Sequence, residues 1–220
     1  MPADVNAPRP YHAPQRVERA AATRRAVVAA AHELFTTQGF TATTVGQIAE
    51  RAGVAVDTLY VVVGRKPVLL REVVETAISG EGGPVSAEQR GYVRAVRAAA
   101  TAGEKIDLYA AAMVRIAAQA APVLLALRDA AARDAGCAAL LTEITERRAA
   151  NMLLFAADLR ATGELRPDLS DREVADIVWS MNSAEYVALL VHRRGWTPQR
   201  YGAFLADAWK RILLADPLSS

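Results

Sequence analysis

Thr44-Val-Gly-Gln-Ile-Ala-Glu-Arg-Ala-Gly53-Val-Ala-Val-Asp-Thr-Leu-Tyr60-Val-Val62 is the stretch that decides how this 220-residue chain reads. Val45, Ile48, Ala52, Val54, Leu59 and Val62 fall where two short crossing helices bury side chains against each other. Ala49 occupies the crossing, where a small residue lets two backbones approach. Gly53 occupies the turn, which needs a positive φ that glycine adopts without strain. Thr44 followed by Gln47 has the spacing of a capping box at the start of the first helix. The pattern is that of a helix-turn-helix, whose second helix enters the DNA major groove. An αα-hairpin inside a helical bundle uses similar apolar positions.

Outward from this stretch the chain reads as helix in both directions. Val27, Ala30, Ala31, Leu34 and Phe35 recur at three- and four-residue spacing, predicting a helix from about Ala20 to Gln38. Gly39 ends it. Gly64 closes the helix of residues 56–62, and Pro67 suits the first turn of the next, which runs to Ile78. Glycine and proline cluster over Ser79 to Pro84. That break divides the chain into a DNA-binding unit, 21–79, and a larger unit, 80–220. Residues 1–20 carry four prolines and read as a flexible arm. Beyond the break, helices are expected at about Ala87–Ala102, Glu104–Ala121, Pro122–Ala135, Cys137–Ala161, Ser170–Arg194 and Pro198–Ala215. The fold class is all-α, a three-helix head on a larger C-terminal bundle, with about nine to ten helices.

Composition excludes several classes. Alanine supplies 47 residues, which favours helix, and aromatics only 6%, which argues against a mainly β protein. The lone Cys137 excludes an intramolecular disulfide framework and a cysteine-based zinc cluster. The largely apolar uncharged run Ile116 to Leu127 is well short of the ~20 residues that span a bilayer. A soluble cytoplasmic protein is expected, with no membrane partner. The three histidines, His12, His32 and His192, form no cluster. His32-Glu33 lacks the second histidine of a zinc-protease helix, because Thr36 stands there. No phosphate loop or nucleophile elbow appears. No enzyme activity, catalytic residue, cofactor or metal is expected.

The run from Thr41 to Tyr60 continues into Gly64-Arg65-Lys66-Pro67-Val68-Leu69-Leu70. It is preceded by Ala31-His32-Glu33-Leu34-Phe35 and closed on that side by Gly39-Phe40. Together these residues resemble the TetR family of bacterial transcriptional regulators, over roughly residues 24–75. The resemblance implies a homodimer whose N-terminal heads bind double-stranded operator DNA and whose variable helical domain binds a small-molecule effector. It implies phosphate contacts at Thr44, Thr58, Tyr60 and Lys66, with Arg65 adding a second charge beside Lys66. Val56 and Asp57 would then face the groove, touching a thymine methyl and a cytosine amino group. A carboxylate near a helix N-terminus is equally the reading for Asp57. The chain departs from the family at Val62 and Val63, where aromatics are common, and at Ala55, where serine often caps. Residues 1–75 hold nine Lys+Arg against seven Asp+Glu, so the whole net charge of +2 lies in the head and arm. That sign suits phosphate neutralisation, although the size is modest.

In the C-terminal part, the 170–194 helix is apolar on more than one side. A helix of that kind is buried on both. Together with 198–215 (Tyr201, Phe204, Leu205, Trp209, Ile212) it is the expected two-fold dimer interface. Trp196 and Trp209 read equally as interface anchors or core. Asn182 and Glu185 sit among apolar neighbours and need partners. They would orient an effector in an apolar pocket walled by Tyr109, Met113, Met152, Phe155, Trp179 and Tyr186. A core or intersubunit pairing of Glu185 with Arg115 or Arg148 is the competing reading. The functional expectation is a ligand-responsive repressor of palindromic operators. The alternative is a helical interaction module or enzyme with a vestigial DNA-binding head.

Overall fold

The computed structural model describes residues 13–79, 83 and 85–215. Four helices form the N-terminal part: α1 (Ala13–Thr37), α2 (Val45–Arg51), α3 (Val56–Val63) and α4 (Lys66–Ser79). Thr44 caps α2 in a full capping box. Gln47 N–H donates to Thr44 Oγ1 at 3.2 Å, and Thr44 N–H donates to Gln47 Oε1 at 2.7 Å. Gly53 turns the chain between α2 and α3 with φ +68°. Ile48 and Leu59 are fully buried with Phe35 of α1, and Ala49 is buried beside them. The small side chain at Ala49 is what lets these helices meet.

The C-terminal part contains a 3₁₀ turn (Ala87–Gln89), α5 (Gly91–Ala98), α6 (Ala102–Ala131), α7 (Ala135–Arg160) and α8 (Asp171–Met181). It continues with α9 (Ala184–Val187), a π-helical turn (Ala188–Arg193) and α10 (Pro198–Leu213). Helix α6 is the axis of the bundle and packs against α4, α5, α7, α9 and α10. Among the described residues the only β contact is one isolated bridge, Leu165 with Leu214.

Four boundaries differ from the sequence reading. Helix α1 begins at Ala13, so residues 13–20 are helical rather than part of an arm; residues 1–12 lie outside the described region. The expected 87–102 helix is a 3₁₀ turn and a shorter helix, because Thr101 starts α6 afresh with a capping box to Glu104. Helix α6 runs through Pro122 without ending. Proline removes one donor, but neighbours on several sides hold the helix, and tertiary packing outweighs that local cost. The joined helix is long and apolar enough to cross a membrane by length and composition, which the 12-residue run did not suggest. The 170–194 helix breaks at Asn182, the C-cap of α8, and Ser183, whose hydroxyl caps α9 by accepting from Tyr186 N–H.

Ion pairs tie α4 to α7: Arg71 holds Glu143 through two bonds of 2.6 and 2.7 Å, and Arg147 holds Glu75 at 2.6 Å. His32 Nε2 lies 3.0 Å from the Gln119 carbonyl oxygen, linking α1 to α6 just before Pro122. Trp209, Tyr201 and Leu205 are buried within the single chain. Of the two readings for Trp209, the structure selects core.

Candidate nucleic-acid interface and ligand cavity

Helix α3 buries Leu59 and Val63 and turns its other face outward. Val56, Asp57, Thr58, Tyr60 and Val61 are all exposed on that helix, Val61 by 86%. Ala55 stands at the N-cap with no side-chain hydrogen bond, as its missing hydroxyl requires. The helix is held in place by Arg24 of α1. Its guanidinium donates to both carboxylate oxygens of the buried Glu72, at 2.5 and 2.7 Å, and to the Val62 carbonyl at 2.7 Å. One side chain thus fixes α1, the C-terminal end of α3, and α4. Sequence reasoning missed this clamp, since nothing in the spacing of Arg24, Val62 and Glu72 marks it.

Arg65 is exposed just beyond α3, as Tyr60 is on it. Lys66 is placed differently. Its ammonium lies 4.2 Å from the centre of the Phe40 ring, and burial pulls its pKa below the ordinary lysine value. The hydroxyl of Thr44 is engaged in the capping box. The seven predicted DNA contacts therefore lie in one region, but only five side chains, Val56, Asp57, Thr58, Tyr60 and Arg65, stand exposed and outside the fold's own local bonding.

A cavity of about 160 Å³ opens between α4, α5, α6, α7 and the α8–α9 junction. Val96, Met113, Ile116, Ala117, Ala120 and Phe155 supply apolar wall. Tyr109, Arg148 and Asn182 supply polar groups at the junction end. Asn182 Nδ2 donates to Tyr109 Oη at 2.7 Å, and Tyr109 donates to Met152 Sδ at 3.4 Å. Arg148 Nη2 donates to Asn182 Oδ1 at 2.6 Å. Burial raises the Tyr109 pKa, so its hydroxyl stays neutral.

Five of the eight predicted ligand residues line this cavity: Tyr109, Met113, Met152, Phe155 and Asn182. The other three lie outside its lining. Trp179 faces the Arg148 guanidinium at 5.7 Å, Glu185 pairs with Arg128 at 2.5 Å, and Tyr186 stacks on Phe204. For Glu185 and Tyr186 the break at Asn182–Ser183 re-aims the chain: α9 turns Ala184 and Val187 to the cavity instead. Arg148, which the sequence reading weighed only as a partner for Glu185, lies on the cavity wall instead.

Cys137 is buried near the start of α7, and burial with Asp134 beside it pushes its thiol up to about 11. A thiol of that pKa is almost wholly protonated at pH 8. Iodoacetamide is expected to alkylate it on the order of a hundredfold more slowly than a free cysteine at pH 8, read by intact mass. Labelling at the free-thiol rate would contradict that burial. Among the described residues no cluster of His, Cys, Asp and Glu could hold a metal ion.

Residues 27–73 match the family model described as bacterial regulatory proteins, tetR family. The whole fold matches solved structures at low identity. The fatty acid degradation regulator FadR of Bacillus subtilis, solved with stearoyl-CoA, superposes with TM-score 0.67 at 19% identity, covering 84% of this chain and 96% of that one. A protein of Saccharomonospora viridis in complex with choline gives 0.65 at 16%, covering 88% and 98%. NalD of Pseudomonas aeruginosa, the secondary repressor of the MexAB-OprM multidrug efflux pump, gives 0.61 at 23%, covering 90% and 99%. Among curated proteins no relative matches the sequence. The helix-turn-helix head thus matches the tetR-family model, and the chain as a whole shares the fold of these regulators.

Proposed function

We propose that the protein is a ligand-responsive repressor that binds palindromic operator DNA as a homodimer in the cytoplasm. Residues 21–79 form the DNA-binding unit, and residues 80–220 bind the effector and the second subunit. The observation that carries the reading is the outward face of α3. It offers Val56 and Val61 methyls, the Asp57 carboxylate and the Thr58 and Tyr60 hydroxyls, with Arg65 at its end. Methyl groups of that kind read thymine methyls, and a carboxylate accepts from a cytosine amino group. The hydroxyls and Arg65 suit phosphate oxygens, which position the helix without reading sequence. Thr44 and Lys66 complete the phosphate set at the edge, more weakly because both already have partners in the fold.

Effector control follows from where the cavity sits. Ile78, near the end of α4, lines it, and so does the stretch of α6 around Gln119, which His32 of α1 contacts. A ligand that fits one placement of α4 and α6 better than another shifts the spacing of the two heads through that difference in affinity. NalD is a repressor, and FadR and the S. viridis protein were solved with small molecules, which supports the same reading here.

Genomic fragments captured by the full-length protein are expected to share one palindromic site. On that site Arg65→Ala is expected to lower the slope of log K against log salt by about 2 for the dimer, one phosphate contact per subunit. Fluorescence anisotropy across a salt series measures it. Capture without any shared palindrome would favour a vestigial head, the reading that the Val61–Val63 run and the modest head charge support.

A further inference from the structure

Arg148 is a cation half-buried in the wall of a largely apolar cavity. Its bonded partners are neutral: the Asn182 side-chain oxygen at 2.6 Å and the Asn182 carbonyl at 3.4 Å. The Trp179 ring lies beside it at 5.7 Å. Its neighbour Arg147 is paired with Glu75, and Glu185 is taken by Arg128. Asp158, at the other end of the same wall, is taken by Lys105 at 2.9 Å. Among the described residues no carboxylate is paired with Arg148. Glu185 acts on it only from a distance, and a guanidinium withdrawn from water without a bonded counter-charge is costly. Consistently, burial pulls its pKa below the ordinary arginine value.

A guanidinium has five N–H donors in a fixed fork, and carboxylates take two of them side by side. Here one nitrogen, Nη2, is spent on Asn182. Size limits the rest of the molecule. A dry cavity of ~150 Å³ holds a benzene ring, and this one measures about 160 Å³. We infer that the effector of this cavity is a compact monocarboxylate, an aryl or short acyl acid, whose carboxylate seats on Arg148 beside Asn182 and whose apolar body lies against Met113, Ile116 and Phe155. The inference rests on the ligand-responsive reading above and names its ligand class. Anion preference comes from Arg148, and the size limit from the apolar wall.

Phenylacetate and 2-phenylacetamide share a shape and differ in charge; phenethylammonium reverses the charge. Calorimetry of each against the full-length protein, without DNA, is expected to give phenylacetate at least a tenfold advantage over the amide and no binding of the ammonium. Arg148→Met is expected to abolish the advantage and leave amide binding within about twofold. Arg148→Met also removes the bond to Asn182, so a second variant guards against a folding effect. Asn182→Asp keeps the shape and sets a carboxylate against Arg148, 2.6 Å from Nη2 at the present Oδ1 position. It is expected to keep the fold, by circular dichroism, and to lose the phenylacetate advantage. Equal binding of acid and amide, tighter binding of the ammonium, no binding of any probe at 10 mM (about −2.7 kcal/mol or weaker), or an advantage that survives both variants would each overturn the inference. Operator capture is read separately. The ligand class can therefore fail while the DNA-binding reading stands, and the reverse.

Discussion

Trp209→Ala is expected to lower the melting temperature of the full chain by roughly 6–12 °C, corresponding to ~3 kcal/mol. Trp209 is fully buried and stacks on Tyr109, with ring centres 5.7 Å apart and planes 22° apart. Its removal forfeits the burial of a large aromatic and leaves a void beside a packed ring. One detail places the loss at the low end of the usual range for such a change. The indole Nε1 has no hydrogen-bond partner among the described residues, so the tryptophan carries a buried unpaired donor that alanine does not. The new void adjoins Tyr109, which lines the ligand cavity. The variant is therefore also expected to accept a larger apolar body than the parent. Differential scanning calorimetry at fixed protein concentration measures the first effect. A shift under 2 °C would mean that α10 is not held by this contact.

Asp158→Ala is expected to cost ~3 kcal/mol in urea unfolding, by the cost of leaving a buried charge unpaired. Lys105 is almost fully buried, and its ammonium donates to the Val96 and Arg97 carbonyls at 3.0 and 3.2 Å as well as to Asp158 at 2.9 Å. Those carbonyls close the last turn of α5, so one lysine joins α5, α6 and α7. Removing the carboxylate leaves a cation that only two carbonyl dipoles stabilise. Asp158 itself is 31% exposed, so water softens the loss and keeps it near 3 rather than 5 kcal/mol. Lys105→Met in the Asp158→Ala background is expected to recover part of the stability, because it removes the orphaned charge. Further loss of the same size as the first would show that the carbonyl bonds, not the charge pairing, dominate.

Asp158 lines the cavity and Trp209 stacks on Tyr109, which also lines it, and neither was marked in the sequence for this role. Trp209 read equally as an interface anchor, since a buried aromatic stripe looks the same whether its cover is the same chain or another. Lys105 and Asp158 are 53 residues apart. No local pattern connects them. Asn182 was singled out because a polar residue among apolar neighbours must have a partner, and its bonds to Arg148 and Tyr109 are those partners. Glu185 was singled out on the same ground but is exposed, because the helix assumed for it breaks three residues earlier. Ser183 was the available sign of that break: a serine followed by a free backbone N–H three residues on is a cap.

The sequence by itself determined the elements whose cause is local. Thr44, Gln47, Ala49 and Gly53 act within a few residues of one another through a cap, a close crossing and a positive φ, so the helix-turn-helix was legible in full. The alanine content determined helix, but not what the small side chains are for. Only the tertiary structure decided that. Where α10 crosses α6, a methyl on Gly202 would stand 2.2 Å from a Val114 methyl, and the buried Ala110 lies at the same contact. There small residues serve close approach. One to three turns further along α6, Ala117, Ala120 and Ala121 face the cavity and leave space. The same residue type does opposite things on one helix, because what lies across from it is set by chain segments far away in sequence.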